Sequence, residues 1–280
     1  LRAALAAPPR TLDGSDWERD QLGAVSEATQ YLTGLAATIS SQVPVEVDVP
    51  YGRAAAQILE AATRLGADGL VMATHGRTGL PHLLYGSVTE AVLGSSSVPV
   101  FVVYARPGQA PASPFSVSAA RLLVPQDGSA NDAPALSAAL DILGVRGEII
   151  LVSVVQPAQT IERDETGHVL AYLDQQEEAR RFEARDYLNG IAEELRGRDL
   201  PVRVKVDVRV GDPASGIAMA ALEASADLIV MATHGRTGIR RAVLGSVAGT
   251  VLRTGTTPVL LVHPRAPSTS APSSSQTAAV

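Results

Sequence analysis

The stretch VMATHGRTG at residues 71–79 recurs without a change at residues 230–238. Nine identical residues in one chain are the mark of duplication, and the match runs outward from them. Downstream, GSVTEAVL at 86–93 answers GSVAGTVL at 245–252, and VPVFVV at 98–103 answers TPVLLV at 257–262. Upstream, EATQYLTGLA at 27–36 answers EARDYLNGIA at 183–192, with the spacing changed by three residues, as one short loop insertion would do. The chain is therefore two copies of one module.

The second copy reads most easily. Residues 121–125 (RLLVP) form a short apolar run, followed by the turn Gln126, Asp127, Gly128, Ser129 and a helix-like stretch at 131–143, for which Ser129 is a suitable N-cap. Residues 148–155 (EIILVSVV) are almost wholly apolar, as a strand buried on both faces requires. Leu188, Ile191 and Leu195 then share one face of an amphipathic helix, and the charged run at 175–181 reads as a solvated helix face. At 202–210, Val202, Val204, Val206, Val208 and Val210 alternate with Arg203, Lys205, Asp207 and Arg209. Strict period-two alternation marks a strand with one buried face, hence an edge strand. A helix at 214–225, a continuous apolar strand at 228–232, a glycine-rich loop, a helix from Ser246 and a last strand at 258–262 complete the module.

Strands alternating with helices imply α/β architecture: a parallel sheet with right-handed crossovers and helices on both faces. With the third strand at an edge, the order 3-2-1-4-5 fits, an open Rossmann-like sheet. The first copy shows the alternating strand at 45–49, a helix at 54–65, a central strand at 70–73 and a last strand at 99–104. Upstream of Glu27 no counterpart of the first two strands is legible; TLDGS at 11–15 resembles the Asp-Gly-Ser turn but follows no apolar strand. The expected organisation is a first module at 1–105 that is N-terminally incomplete, a Pro/Ala/Ser-rich linker at 106–118, a complete module at 119–264 and a disordered tail at 265–280. The start at Leu1, not Met, reads as truncated or mis-started.

Composition removes several chemistries. The chain contains no cysteine, so disulfides, thiolate catalysis and Cys-ligated zinc are excluded. Its one lysine, Lys205, sits in the alternating strand, which leaves Walker-loop, protein-kinase and Schiff-base chemistry without their amine. A net charge of -6 argues against a nucleic-acid partner and against a polybasic membrane surface. No apolar run approaches the roughly 20 residues that span a bilayer. A cytoplasmic protein is the expectation.

The informative loop leaves the carboxyl end of the strand ending at Ala232, passes His234, Gly235, Arg236 and Gly238, and reaches Gly245, Ser246 and Val247 at a helix start. Unpaired N–H groups and the helix dipole favour a phosphate there. Gly235 and Gly238 permit close backbone approach, and Ser246 can cap the helix and donate its hydroxyl to a phosphate oxygen. Asp127 leaves the first strand beside the fourth, at the switch point where open α/β sheets bind ligands. An acceptor at that place suits ribose hydroxyls or an adenine amino group, although Asp127 could instead serve its own turn. Duplication alone explains why His75 and His234 recur, and no metal-ligand pattern accompanies them. Arg77 and Arg236 could reach a phosphate or simply sit in solvent.

These residues resemble the universal stress protein family in its ATP-binding branch. The family's loop is Gly-x-x-Gly, nine residues, Gly-Ser/Thr, and its first strand ends in a Pro-x-Asp-Gly-Ser turn. The chain supplies Pro125, Asp127, Gly128 and Ser129, then Gly235, Gly245 and Ser246. It departs at the first glycine, which is Ala232 in one copy and Ala73 in the other, where a methyl group would crowd a phosphate. The resemblance implies ATP or AMP as ligand, with or without Mg, and an adenine pocket lined by Val152; because no residue reads as a general base aligned with a γ-phosphate, fast hydrolysis is not expected. In the first copy Gly76, Gly86 and Ser87 keep the phosphate half without an Asp partner, so that site is expected to stay empty. The resemblance further implies pairing through the last strands, within one chain or between two. The rival readings are a module that keeps the fold and binds no nucleotide, and a slow ATP hydrolase.

Overall fold

The computed structural model describes residues 2–4, 17–39, 43–73, 86–104, 120–143, 147–163, 165–166, 168–198, 200–233 and 244–263. The expected linker and tail, the TLDGS segment, and the loop residues His75, Gly76, Arg77, His234, Gly235, Arg236 and Gly238 lie outside the described residues.

In the second copy, β5 (Arg121–Pro125) leads through α4 (Asp132–Leu143) to β6 (Gly147–Val155). A small hairpin, β7 (Glu162–Arg163) and β8 (Val169–Ala171), precedes α5 (Leu173–Gly197), β9 (Val202–Val210), α6 (Pro213–Glu223), β10 (Leu228–Ala232), α7 (Ser246–Thr254) and β11 (Val259–Val262). The strands stand side by side as β9-β6-β5-β10-β11, the expected 3-2-1-4-5 order, and all four pairings are parallel. The patterns read along the chain explain the placement. In the centre of the sheet, Leu122, Leu123 and Val124 of β5, Ile149 and Leu151 of β6 and Leu228, Ile229 and Val230 of β10 are all buried. β9 alternates and holds the edge, with Lys205 reaching across to Glu148 of β6 at 2.6 Å. Helices cover both faces. One core gathers Ala135, Ala139 and Leu143 of α4 with Leu188 and Ala192 of α5; the other gathers Ile217 and Ala220 of α6 with Val251 and Leu252 of α7.

The first copy contributes β1 (Arg2–Ala4), α1 (Trp17–Ile39), β2 (Glu46–Asp48), α2 (Ala54–Arg64), β3 (Leu70–Ala73), α3 (Ser87–Ser95) and β4 (Val100–Val103). Here the sequence reading needs a correction. β1 pairs in parallel with β2 and α1 joins them, the arrangement that β6, α5 and β9 show in the second copy. A counterpart of the second strand is thus present. It escaped notice because three residues, Arg2, Ala3 and Ala4, carry no apolar run. What the described residues do not contain is a counterpart of β5, so β1 and β2 form a sheet of their own, apart from β3 and β4.

The two copies share one seven-stranded sheet, because β4 and β11 pair antiparallel. Phe101 lies opposite Leu260, its own equivalent in the repeat, so a pseudo-two-fold axis passes between them. Two hydrogen bonds obey the same symmetry. The Tyr104 hydroxyl donates to the Leu252 carbonyl at 3.1 Å, and His263 Nε2 donates to the Leu93 carbonyl at 2.9 Å. Tyr104 and His263 each follow the last strand of their copy, and Leu93 and Leu252 each lie near the end of its last helix, where helical carbonyls lack partners. Burial pushes the Tyr104 hydroxyl up to about 12, so it stays protonated and able to donate. Replacing Tyr104 with Phe is expected to lower unfolding stability by about 1 kcal/mol. Urea denaturation of the two proteins would measure it, and indistinguishable midpoints would show that the bond adds nothing.

Candidate nucleotide site at the sheet switch point

The crossovers reverse direction between β5 and β10. After β5 the chain moves by α4 toward β6; after β10 it moves by α7 toward β11, on the opposite face. The helices that follow these neighbouring strands thus lie on opposite faces of the sheet, the switch-point arrangement at which open α/β sheets bind ligands beyond the strands' carboxyl ends. The register pairs Leu122 with Leu228 and Leu123 with Ile229, and continuing it sets Asp127 level with Thr233. Both turns stand on one edge of the sheet.

The turn after β5 is held by its own side chains. Asp127 Oδ1 accepts the Ser129 amide at 3.0 Å, and Ser129 Oγ accepts the Asn131 amide at 3.3 Å. Gly128 has φ of 79°, a conformation that favours glycine. Ser129 does not cap α4, as its position suggested, because the helix begins at Asp132 and the serine closes a smaller turn before it. Buried Gln126 anchors the base of the turn, its amide donating to the Val152 carbonyl of β6 at 2.8 Å. Val152 is itself almost fully buried, and Pro125, the last residue of β5, is partly buried beside it in register.

Asp132, which the sequence reading passed over, is the hub of this turn. Its Oδ2 accepts the amides of Asp127 at 3.0 Å and Gly128 at 2.7 Å, and the Tyr187 hydroxyl of α5 at 3.2 Å. Burial raises its carboxyl to about 6, the charge of Asp127 adds to the rise, and the two backbone amides oppose it. A raised folded-state value means the folded protein holds the proton more tightly than the unfolded chain. The linked stability is complete below the unfolded value near 3.8 and is lost as pH rises through about 6. We expect wild-type stability to fall by about 1–3 kcal/mol across that window relative to Asp132→Asn. Urea midpoints at several pH values report it, and parallel pH profiles for the two proteins would contradict it.

On the other side, Thr233 follows β10 as a buried residue. Its amide donates to the Val262 carbonyl at 3.0 Å and its carbonyl accepts the Gly245 amide at 2.8 Å. The chain that leaves β10 is thereby returned beside it at the start of α7. Gly245 is the N-cap and Ser246 the first helical residue, so the serine sits one position inside the cap proposed for it. Gly245 has no side chain with which to cap α7, and among the described residues no side chain caps it, so the first amides of the helix are of the kind that suits an anionic acceptor. Ser246 is exposed, while Val247 and Ala232 are partly buried. Pro125, Asp127, Gly128, Ser129, Val152, Ala232, Gly245, Ser246 and Val247 are all described, and those of the two turns gather at the carboxyl edges of β5 and β10. The signal that could have revealed Asp132 was an acid in the first turn of a helix next to a tight turn.

With this geometry in place, comparison with known proteins is informative. A sequence model of the universal stress protein family matches residues 2–104 and 119–263. A universal stress protein of Mycolicibacterium smegmatis is 31% identical over 199 residues, covering 71% of this chain and 63% of that protein. One from Mycobacterium tuberculosis is 30% identical, covering 70% of this chain and 62% of that protein. The chain thus spans less than two-thirds of these relatives' length. The crystal structure of a universal stress protein from Archaeoglobus fulgidus covers 94% of this chain and 87% of its own, at 22% identity and a TM-score of 0.64, a likeness of fold.

Proposed function

This chain belongs to the universal stress protein family, and from that premise we propose that its second module binds an adenine nucleotide, ATP or AMP, at the β5–β10 switch point. The observation that supports this most is the convergence of a carboxylate turn, Asp127 to Ser129, with the amino end of α7, which no side chain caps among the described residues, on one edge of the sheet. The two halves suit the two halves of a mononucleotide. Asp127 accepts from ribose hydroxyls or the adenine amino group, and the amides and hydroxyl at Ser246 donate to phosphate. A magnesium ion, if taken up, would enter with the phosphates of ATP. The Ala232 methyl group, at the end of β10, sets how closely those phosphates approach.

The proposed role is regulatory, in a cytoplasmic stress response, and not enzymatic. Both acids of the turn already have structural work: Asp127 Oδ1 holds Ser129, and Asp132 Oδ2 holds two amides and Tyr187. That engagement is what supports a non-catalytic reading of the turn. No helix among the described residues is long and apolar enough to cross a membrane. The engagement of Asp127 Oδ1 within its own turn is the observation that favours the rival, a module that keeps the fold without a ligand.

Calorimetric titration of the whole chain with ATP and with AMP separates the readings. Saturable binding at one site per chain supports nucleotide recognition, and no heat at millimolar ligand defeats it. A steady-state phosphate-release assay addresses catalysis, and turnover faster than about one per second would make the protein an enzyme after all.

A further inference from the structure

The turn that presents Asp127 is built on a second acid, an unusual neighbour for a place that suits phosphate. Asp132 is 8% exposed, and its Oδ2 takes the three donors that hold it: the amides of Asp127 and Gly128 and the Tyr187 hydroxyl. Oδ1 is the oxygen left to carry a proton, so protonation changes the charge of the turn while keeping those bonds. Burial, then the charge of Asp127, favours that proton; the two amides oppose it, and a side-chain bond with Asp127 adds to its hold. The other ionisable groups are engaged elsewhere or lie further off. In the groove between α4 and α5, Glu194 and Arg198 pair with each other at 2.5 Å. Arg180, Glu183 and Asp186, in the two turns of α5 before Tyr187, are exposed. Asp141 is near the far end of α4, Arg121 is at the opposite end of β5, and β10 and β11 carry no ionisable residue. His263, after β11, donates to the Leu93 carbonyl. Asp132 therefore answers chiefly to Asp127, and the pair holds one negative charge with the proton and two without it.

We propose that Asp132 sets which nucleotide the second module holds: ionised, it disfavours ATP relative to the less charged AMP, and a proton on it removes that bias. This selectivity rests on the nucleotide reading of the site. Asp127 stands level with Thr233 on neighbouring strands, about 4.8 Å apart, and Thr233 holds Gly245 at the start of α7. A phosphate bound there is within the roughly 10 Å over which charges act at ordinary salt. A buried carboxylate is screened less than an exposed one, and its repulsion grows with the charge of the ligand. ATP without magnesium carries more negative charge than AMP, so it loses more when the proton leaves. Asparagine at 132 would keep an oxygen for the same three donors and remove the charge, which separates the residue's hold on the turn from its field. A purely structural role for Asp132 would never make its replacement improve binding.

The test is calorimetric titration of the whole chain and of Asp132→Asn with ATP and with AMP, free of divalent cations, from about pH 5 to about pH 8. At the upper end the variant should bind ATP about threefold to tenfold more tightly than the parent chain, with a smaller gain for AMP. At the lower end the two proteins should agree. Titration of the nucleotide's own phosphates is common to both proteins and cancels in the comparison. A second measurement needs no variant. Carbon-13 spectra of the aspartate-labelled parent chain follow the Asp132 carboxyl, whose titration midpoint should rise on adding AMP and rise further with ATP. Parallel pH profiles in the two proteins, a variant that binds ATP more weakly at every pH, or a midpoint that neither nucleotide moves overturns the selectivity and leaves nucleotide binding standing. No binding of either nucleotide by either protein at any pH overturns both.

Discussion

An Asp127→Ala variant is expected to bind ATP about tenfold to a hundredfold more weakly than the parent chain while unfolding within about 1 kcal/mol of it. The large effect on ligand follows from the loss of a charged acceptor at the nucleoside side of the crevice, where a hydrogen bond to an ionised group contributes about 1.5–3 kcal/mol. The small effect on folding follows from the turn's shared support: the carboxylate accepts the Ser129 amide at 3.0 Å in a turn that Asp132 also secures through the Asp127 and Gly128 amides. Calorimetric titration and urea denaturation of the same two samples give both numbers. Equal ATP affinities would return Asp127 to the role of a turn residue and take away half of the proposed pocket.

The second large effect concerns the seam between the copies. Leu261→Ala is expected to destabilise the chain by about 3 kcal/mol, within the range for truncating a fully buried leucine. Leu261 is 0% exposed, sits in β11 opposite Val100 of β4, and belongs to the core that also holds Val92, Leu93 and Val102 of the first copy. A cavity there is bordered by both copies, so neither can relax to fill it alone. Because β10, β11, β4 and β3 form one continuous sheet, the loss should shift the unfolding of both copies together. Urea titration followed by far-UV circular dichroism tests this. A loss below about 1 kcal/mol, or two separate transitions of which one is unmoved, would show that the copies fold as independent bodies.

The sequence carried much of this fold for identifiable reasons. The alternation of five valines with charged residues at 202–210 placed β9 at an edge, and among the described residues it pairs with β6 alone. Continuous apolar runs at 121–125 and 228–232 announced central strands, and Leu122, Leu123, Ile229 and Val230 are fully buried. Pairing through the last strands was expected from the family resemblance and from the need to cover edge strands this apolar; that the pairing is antiparallel is what the structure adds. Other features left no local trace. β1 is three residues long, and its pairing with β2 is set by tertiary context rather than by composition. The β7–β8 hairpin consists of strands of two and three residues and falls below what periodicity can register. The bond from Tyr187 to Asp132 spans 55 residues, so that part of the role of Asp132 left no local trace, whereas its hold on the Asp127 and Gly128 amides is local. On the ligand side, position in the topology made Asp127 and Ser246 legible, because the first and fourth strands of a 3-2-1-4-5 sheet are neighbours.

The decisive test is a crystal structure of the whole chain grown with saturating ATP. Density for the nucleotide lying across the tips of β5 and β10, its nucleoside beside Asp127 and its phosphates at the amino end of α7, is the predicted result. Nucleotide density at some other place, or none at a concentration well above the measured dissociation constant, would contradict it.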